Sequence, residues 1–137
     1  MMNRKGSQRM EFFKIDRASA HDATASGNFG GQVWMQRLIT EQQSHDIELL
    51  VVSFEAGGRT RPHIHLVDQI LHITAGRGIV ATGTERRFVT AGDVVLVPAG
   101  EWHWHGASPD SAMTHISIKR YGTTDWTVDE RDWGTYA

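Results

Sequence analysis

Two short runs carry the residues most able to do chemistry: His63-Ile64-His65-Leu66-Val67-Asp68-Gln69, and Pro98-Ala99-Gly100-Glu101-Trp102-His103-Trp104-His105. On a β-strand, side chains at i and i+2 share a face, so His63 and His65 can converge on one point, and His103 and His105 can do the same on a second strand. Gln69 adds an amide oxygen four residues beyond His65. Neutral imidazoles and an amide oxygen suit a first-row divalent metal. The bland alternative is histidines satisfied by hydrogen bonds inside a barrel, but three in one cavity exceed what packing requires. The expectation is a mononuclear metal site inside a β-barrel, built from these histidines with Gln69. Gln69 has a second reading, as a residue that hydrogen-bonds a metal-bound water or ligand. Asp68 is a carboxylate next door, but a strand at 69 points it the other way.

Elements of regular length must position these groups. Strand signals fall at 31–38, 47–54, 61–65, 69–75, 78–82, 86–90, 93–97, 102–106 and 113–120, with Met10 to Ile15 as a further short strand. Gly57-Gly58, Gly76, Gly83, Gly92, Pro98-Ala99-Gly100 and Ser108-Pro109-Asp110 separate them. Many short strands with regular turns predict an all-β sandwich or barrel. Residues 1–9 read as a polar, frayed end and Asp16 to Asn28 as loop; no ten-residue segment has a helical period. Val94-Val95-Leu96-Val97 is continuously apolar, which predicts a strand covered on both faces, one cover being another subunit. Trp102 and Trp104 point opposite to the histidines and are expected to pack outside the barrel, at a dimer interface. His72 falls opposite Gln69, on an interface or surface. Val33, Met35, Phe54, Ile73, Leu96 and Met113 are candidate apolar walls.

Bulk properties set limits. A chain of 137 residues suits one domain. A net charge of −2, with no basic stripe, gives no electrostatic case for nucleic acid or an anionic membrane. No apolar run approaches membrane-spanning length, and the basic Met1-Met2-Asn3-Arg4-Lys5 is not followed by the apolar segment of a secretory signal, so cytoplasm is the default expectation. The absence of cysteine excludes thiolate ligands, disulfides and a cysteine nucleophile.

The run Gly57-x5-His63-x-His65-x3-Gln69-x6-Gly76 resembles the first cupin motif, with Gln69 where most cupins carry Glu. Gly92-x5-Pro98-x-Gly100-x2-His103 resembles the second, and the spacer between Gly76 and Gly92 fits small microbial cupins. His103-Trp104-His105-Gly106, Ala112-Met113-Thr114-His115, Phe29 to Val33 and Asp125-Trp126 resemble the Gln-containing cupins related to manganese-dependent hydroxynitrile lyases, and cupins associated with carboxymuconolactone decarboxylases. The resemblance implies a single cupin barrel (double-stranded β-helix, jelly roll) over residues 27–121, an N-terminal extension over 1–26, and a C-terminal tail over 122–137 packed on the barrel or on a partner subunit. It implies His63, His65, Gln69 and His103 as the metal ligands, and favours Mn or Fe as the one divalent transition metal per chain, with Ni, Co, Cu or Zn compatible with the ligands. It also implies that His105 and His115 flank a small-molecule substrate, and a homodimer is expected. If the turn between their strands centres on Asp110, His105 faces His115 and His103 faces Ser117.

Replacing Glu by Gln leaves the 2+ charge of the metal uncompensated. That favours Lewis-acid chemistry over oxidation to a 3+ state. The first functional expectation is therefore a hydroxynitrile-lyase-like C–C lyase, with His105 or His115 as base. A metal-dependent dioxygenase of the quercetin-dioxygenase-like kind is the second, and a non-enzymatic small-molecule binding or sensing module the third. Leu66-Val67-Asp68 stands where these relatives commonly carry Pro-Leu-Gly, and 36–46 also diverges, so substrate specificity is not carried over.

Overall fold

The computed structural model describes residues 9–136. Of the frayed end expected over 1–9, residues 1–8 lie outside the described residues. The strands are β1 (His21–Asp22), β2 (Phe29–Gly30), β3 (Val33–Ile39), β4 (Ile47–Phe54), β5 (Arg59–Thr60), β6 (Ile64–His65), β7 (Gln69–Thr82), β8 (Arg86–Thr90), β9 (Val94–Val97), β10 (His103–Ala107), β11 (Met113–Arg120) and β12 (Thr124–Asp125). Ten of them form two antiparallel sheets that share β7, and β6 pairs separately with β12. Its first half pairs with β11 and β9, and β11 continues through β4 and β3 to β1. Its second half pairs with β8 and β10, and β10 continues through β5 to β2. This is a single β-barrel of jelly-roll type, as the resemblance implied.

The segments 69–75 and 78–82 are one strand rather than two. Gly76 lets it pass from sheet to sheet: its φ of 76° is in the left-handed region, and a Cβ there would collide with the carbonyl oxygen of Ala112. The two halves differ in cover. From Gln69 to Thr74 buried and exposed residues alternate, the pattern of a strand with one open face; Gly78–Ala81 is buried throughout. The expectation for Val94–Val97 fails here. Val97 is buried, but Val94 and Leu96 are each 64% exposed, because β9 is an edge strand whose outer face none of the described residues covers. Leu96 is therefore not a pocket wall, whereas Val33, Phe54, Ile73 and Met113 belong to the buried core between the sheets and Met35 packs against it.

Trp102 and Trp104 do face away from the histidines, but their cover is intramolecular. They cluster with Ile79 and Ala81 beneath Val128, Trp133 and Tyr136 of the C-terminal segment. Hydrogen bonds fix that segment: Trp102 Nε1 donates to the Asp129 carbonyl at 2.8 Å, Trp133 Nε1 to Thr60 at 2.7 Å and Tyr136 to Ala107 at 2.8 Å. The reason given above for placing these tryptophans at a dimer interface is thereby removed. Met10 to Ile15 is not a strand; it runs without a ladder partner and is held by the Gln36 amide, which donates to the Lys14 carbonyl and accepts from the Asp16 N–H. Asp16 to Asn28, expected as loop, contains two 3-10 turns and β1.

Candidate metal centre

His63 and His103 sit directly opposite one another, joined by two backbone hydrogen bonds of 3.0 and 3.1 Å, which brings their rings to 4.3 Å between centroids. His65, one pleat further, places its ring 4.8 Å from that of His63 and 5.4 Å from that of His103. His105 lies 5.6 Å from both. Gln69 opens β7, buried, with its Oε1 3.2 Å from His103 Nε2. Among the described residues, His63, His103 and His105 form the group that could hold a metal, with donor atoms within 4.8 Å of one another. The sequence reading had His65 in that trio and left His105 beside it; the structure brings all four rings and Gln69 together.

Hydrogen bonds assign the protons. His63 Nδ1 donates to the Arg61 carbonyl at 2.7 Å and His103 Nδ1 to the Glu101 carbonyl at 2.9 Å, which leaves a lone pair on each Nε2. His65 Nδ1 meets Thr124 Oγ1 at 2.9 Å, and its buried Nε2 has no partner. The Gln69 amide nitrogen donates to Ser117 Oγ at 2.9 Å and so fixes Oε1 toward His103 Nε2. Two acceptors then face each other at 3.2 Å, an arrangement unfavourable alone and satisfied by a cation between them. The residues present fit a divalent metal. Burial keeps every ring neutral and ready to ligate: it pushes His65 down to about 3 and His103 to about 4, and holds His63 well below the usual histidine range, with His103 and His65 adding to the effect.

His105 and His115 meet, but not as hairpin partners. β10 pairs with β7 and β5, β11 with β7 and β4, so the chain crosses between sheets after Ala107 and the two rings approach across the barrel. His115 Nε2 and His105 Nδ1 are 3.0 Å apart, and the other nitrogen of each ring is buried without a hydrogen-bond partner. Burial lowers His115 to about 4, opposed by its own backbone carbonyl, and holds His105 well below the usual histidine range, with His115 and His63 contributing. Asp68 points away and accepts from the Ala99 N–H, and His72 is exposed.

His63, His65, Gln69, His105 and His115 line a cavity of about 400 Å³. Sequence reasoning missed much of its wall. β12 pairs with β6, so Thr124 braces His65 while Trp126 lies on His63, with ring centroids 4.3 Å apart. The only advance signal was Asp125-Trp126 in the family resemblance. Arg37, Glu48 and Lys119 also line the cavity, and no motif marked them.

A jelly-roll barrel with histidines converging on its interior defines a small β-barrel whose buried histidine group could hold a metal. The family model described as Cupin domain matches residues 50–119, and this chain belongs to that family. Its sequence is 46% identical over 69 residues to an (R)-mandelonitrile lyase of Granulicella tundricola, covering 50% of this chain and 53% of that one; the match thus spans about half of that relative's length. A cupin-like protein of Thermotoga maritima is 34% identical with a TM-score of 0.75, over 87% of this chain and 92% of that one. The polyketide cyclase RemF of Streptomyces resistomycificus shares the fold with a TM-score of 0.73 at 15% identity, over 90% and 89% of the chains. Among the described residues no helix is long and apolar enough to cross a membrane.

Proposed function

We propose that this chain is a small-molecule C–C lyase of the hydroxynitrile-lyase kind, with one divalent metal held by His63, His65, Gln69 and His103 and with His105 and His115 as the proton-handling pair. The observation that carries this reading is the buried His105–His115 contact, with an unpartnered nitrogen on each ring, beside a wholly neutral ligand set. The similarity to a mandelonitrile lyase supports it. A metal in that set would supply Lewis acidity toward a substrate oxygen.

The residues themselves do the rest. One proton lies between His105 Nδ1 and His115 Nε2. With that proton on His105, the Nε2 of His105 presents its lone pair to the site and accepts the proton of a substrate hydroxyl. His115 then accepts a stronger, charge-assisted hydrogen bond from the imidazolium. As the carbon–carbon bond breaks, its electron pair leaves with cyanide, the hydroxyl carbon becomes a carbonyl, and the proton on His105 passes to the cyanide. Trp126 and Phe29 wall the cavity. Their bulk limits water around the reacting groups.

The test is mandelonitrile cleavage by protein of defined metal content. His105→Ala and His115→Ala should keep the metal and lose about 100- to 10,000-fold in turnover. Loss of metal from His105→Ala would make His105 a ligand instead of the base. Stoichiometric oxygen consumption during turnover would replace the lyase reading with the dioxygenase one.

A further inference from the structure

The ligand histidines are oriented in two different ways. His63 and His103 each donate from Nδ1 to a carbonyl two residues earlier, that of Arg61 and that of Glu101, so their tautomer and ring direction are set locally. His65 is held from far along the chain. Its Nδ1 meets Thr124 Oγ1 at 2.9 Å, a partner 59 residues away, and its buried Nε2 has no hydrogen bond. The backbone repeats this arrangement: β6, which carries His65, has β12 as its ladder partner, with His65 directly opposite Thr124. Two residues beyond Thr124, Trp126 lies on the His63 ring, with 4.3 Å between centroids and 31° between planes.

The segment that supplies these two contacts is fastened to the barrel by a few side chains. Trp102 Nε1 donates to the Asp129 carbonyl at 2.8 Å, Arg61 pairs with Glu130 at 2.6 Å, and Arg86 Nε donates to the Thr135 carbonyl at 2.8 Å. None of its residues from 122 to 136 is fully buried. A segment with little buried surface and exposed hydrogen bonds opens locally, at a lower free energy than the whole domain unfolds.

We propose that residues 122–136 form a strap whose docking is coupled to metal occupancy. Docked, Thr124 accepts the His65 Nδ1 proton and leaves the Nε2 lone pair free to ligate. Undocked, that ring loses the one hydrogen bond that holds it among the described residues. Thr124 and Trp126 are positioning residues that act through His65 and His63. The inference rests on the metal-centre reading and is independent of the lyase chemistry. Coupling of this kind is reciprocal: the factor that the docked strap adds to metal affinity is the factor by which bound metal resists opening of the strap. A hydrogen bond that orients a ligand histidine is worth about 10- to 100-fold in affinity, so metal should suppress opening by about the same factor.

The test is hydrogen–deuterium exchange of the full chain, read by mass spectrometry with and without saturating Zn or Mn, beside chelator competition on two variants. Peptides from 122–136 should exchange about 10- to 100-fold more slowly with metal bound, while the edge strand β9, which does not pair with the strap, changes little. Thr124→Val should weaken metal binding by that factor, and Thr124→Ser, which keeps the hydroxyl, should restore most of it. If Thr124→Val does not fold, exchange in the unmodified chain decides. Strap exchange untouched by metal, or a Thr124→Ser variant as weak as Thr124→Val, would overturn the inference. Failure of the unmodified chain to take up either metal would remove the metal reading and this inference together. Metal uptake without the change in exchange would remove this inference alone.

Discussion

Acid should destabilise the metal-free protein well before its carboxylates titrate. Burial lowers both His103 and His115 to about 4, against an ordinary value of 6.5 in the unfolded chain. Between those values the unfolded chain binds a proton that the folded one does not. Stability is therefore fully present above about pH 6.5 and declines as pH falls toward 4. Each such histidine contributes a slope approaching about 1.4 kcal/mol per pH unit, so that from about pH 7.5 to pH 5 each costs about 2 kcal/mol and the pair about 4 kcal/mol. His63, His65 and His105 are shifted the same way and steepen the decline. A domain of this size has about 5–15 kcal/mol in total, so the loss is a large fraction of it. The lowered carboxylates Asp22, Asp110 and Asp125 lose their stabilising effect only at more acidic pH, which keeps them out of this window. Urea unfolding of chelator-treated protein, followed by tryptophan fluorescence at about pH 7.5, 6 and 5, measures the effect. His115→Gln should remove about 2 kcal/mol of the pH dependence even if it lowers stability overall. An unfolding free energy that is flat within about 1 kcal/mol over this range would refute the reasoning, because it would mean that these rings are neither buried nor neutral.

Further outcomes are expected. His63→Ala or His103→Ala should remove most bound metal and Gln69→Ala less, by elemental analysis after reconstitution with equal Mn, Fe and Zn; full occupancy in the His63/His103 double variant would reject the site. Thr124→Val leaves His65 Nδ1 without its partner and should weaken metal affinity by about 10- to 100-fold in competition with a chelator. Gly76→Ala places a side chain against Ala112 in a left-handed conformation and should cost several kcal/mol or abolish folding, read as lost soluble yield and a lowered melting temperature. The open apolar face formed by Ile70, Val94 and Leu96 supports a homodimer, and a light-scattering mass of 15.3 kDa at micromolar concentration would reject it.

Alternation along single strands was legible from the residues. The two His-x-His runs, Gln69 and the outward direction of Asp68, His72 and the tryptophans all follow from a period of two, because pleating fixes which face a side chain takes within its own strand. The turn glycines and prolines marked most strand ends for the same local reason. What covers an outward face is a long-range matter. An apolar quartet at 94–97 reads as doubly covered, yet it lies at an edge, while the doubly covered segment is 78–81, beneath the C-terminal segment. The His105–His115 contact shows the same division. A hairpin register predicted it, but the strands belong to different sheets, and closure of the barrel supplies the approach. Thr124 beside His65, Trp126 on His63, and Lys119 paired with Glu48 in the cavity wall depend on strand pairings dozens of residues apart, which no local spacing encodes. The sequence by itself determined which residues could ligate and which face each would take. Only the tertiary structure decided which of them meet, since that depends on how two sheets close over one strand bent at Gly76.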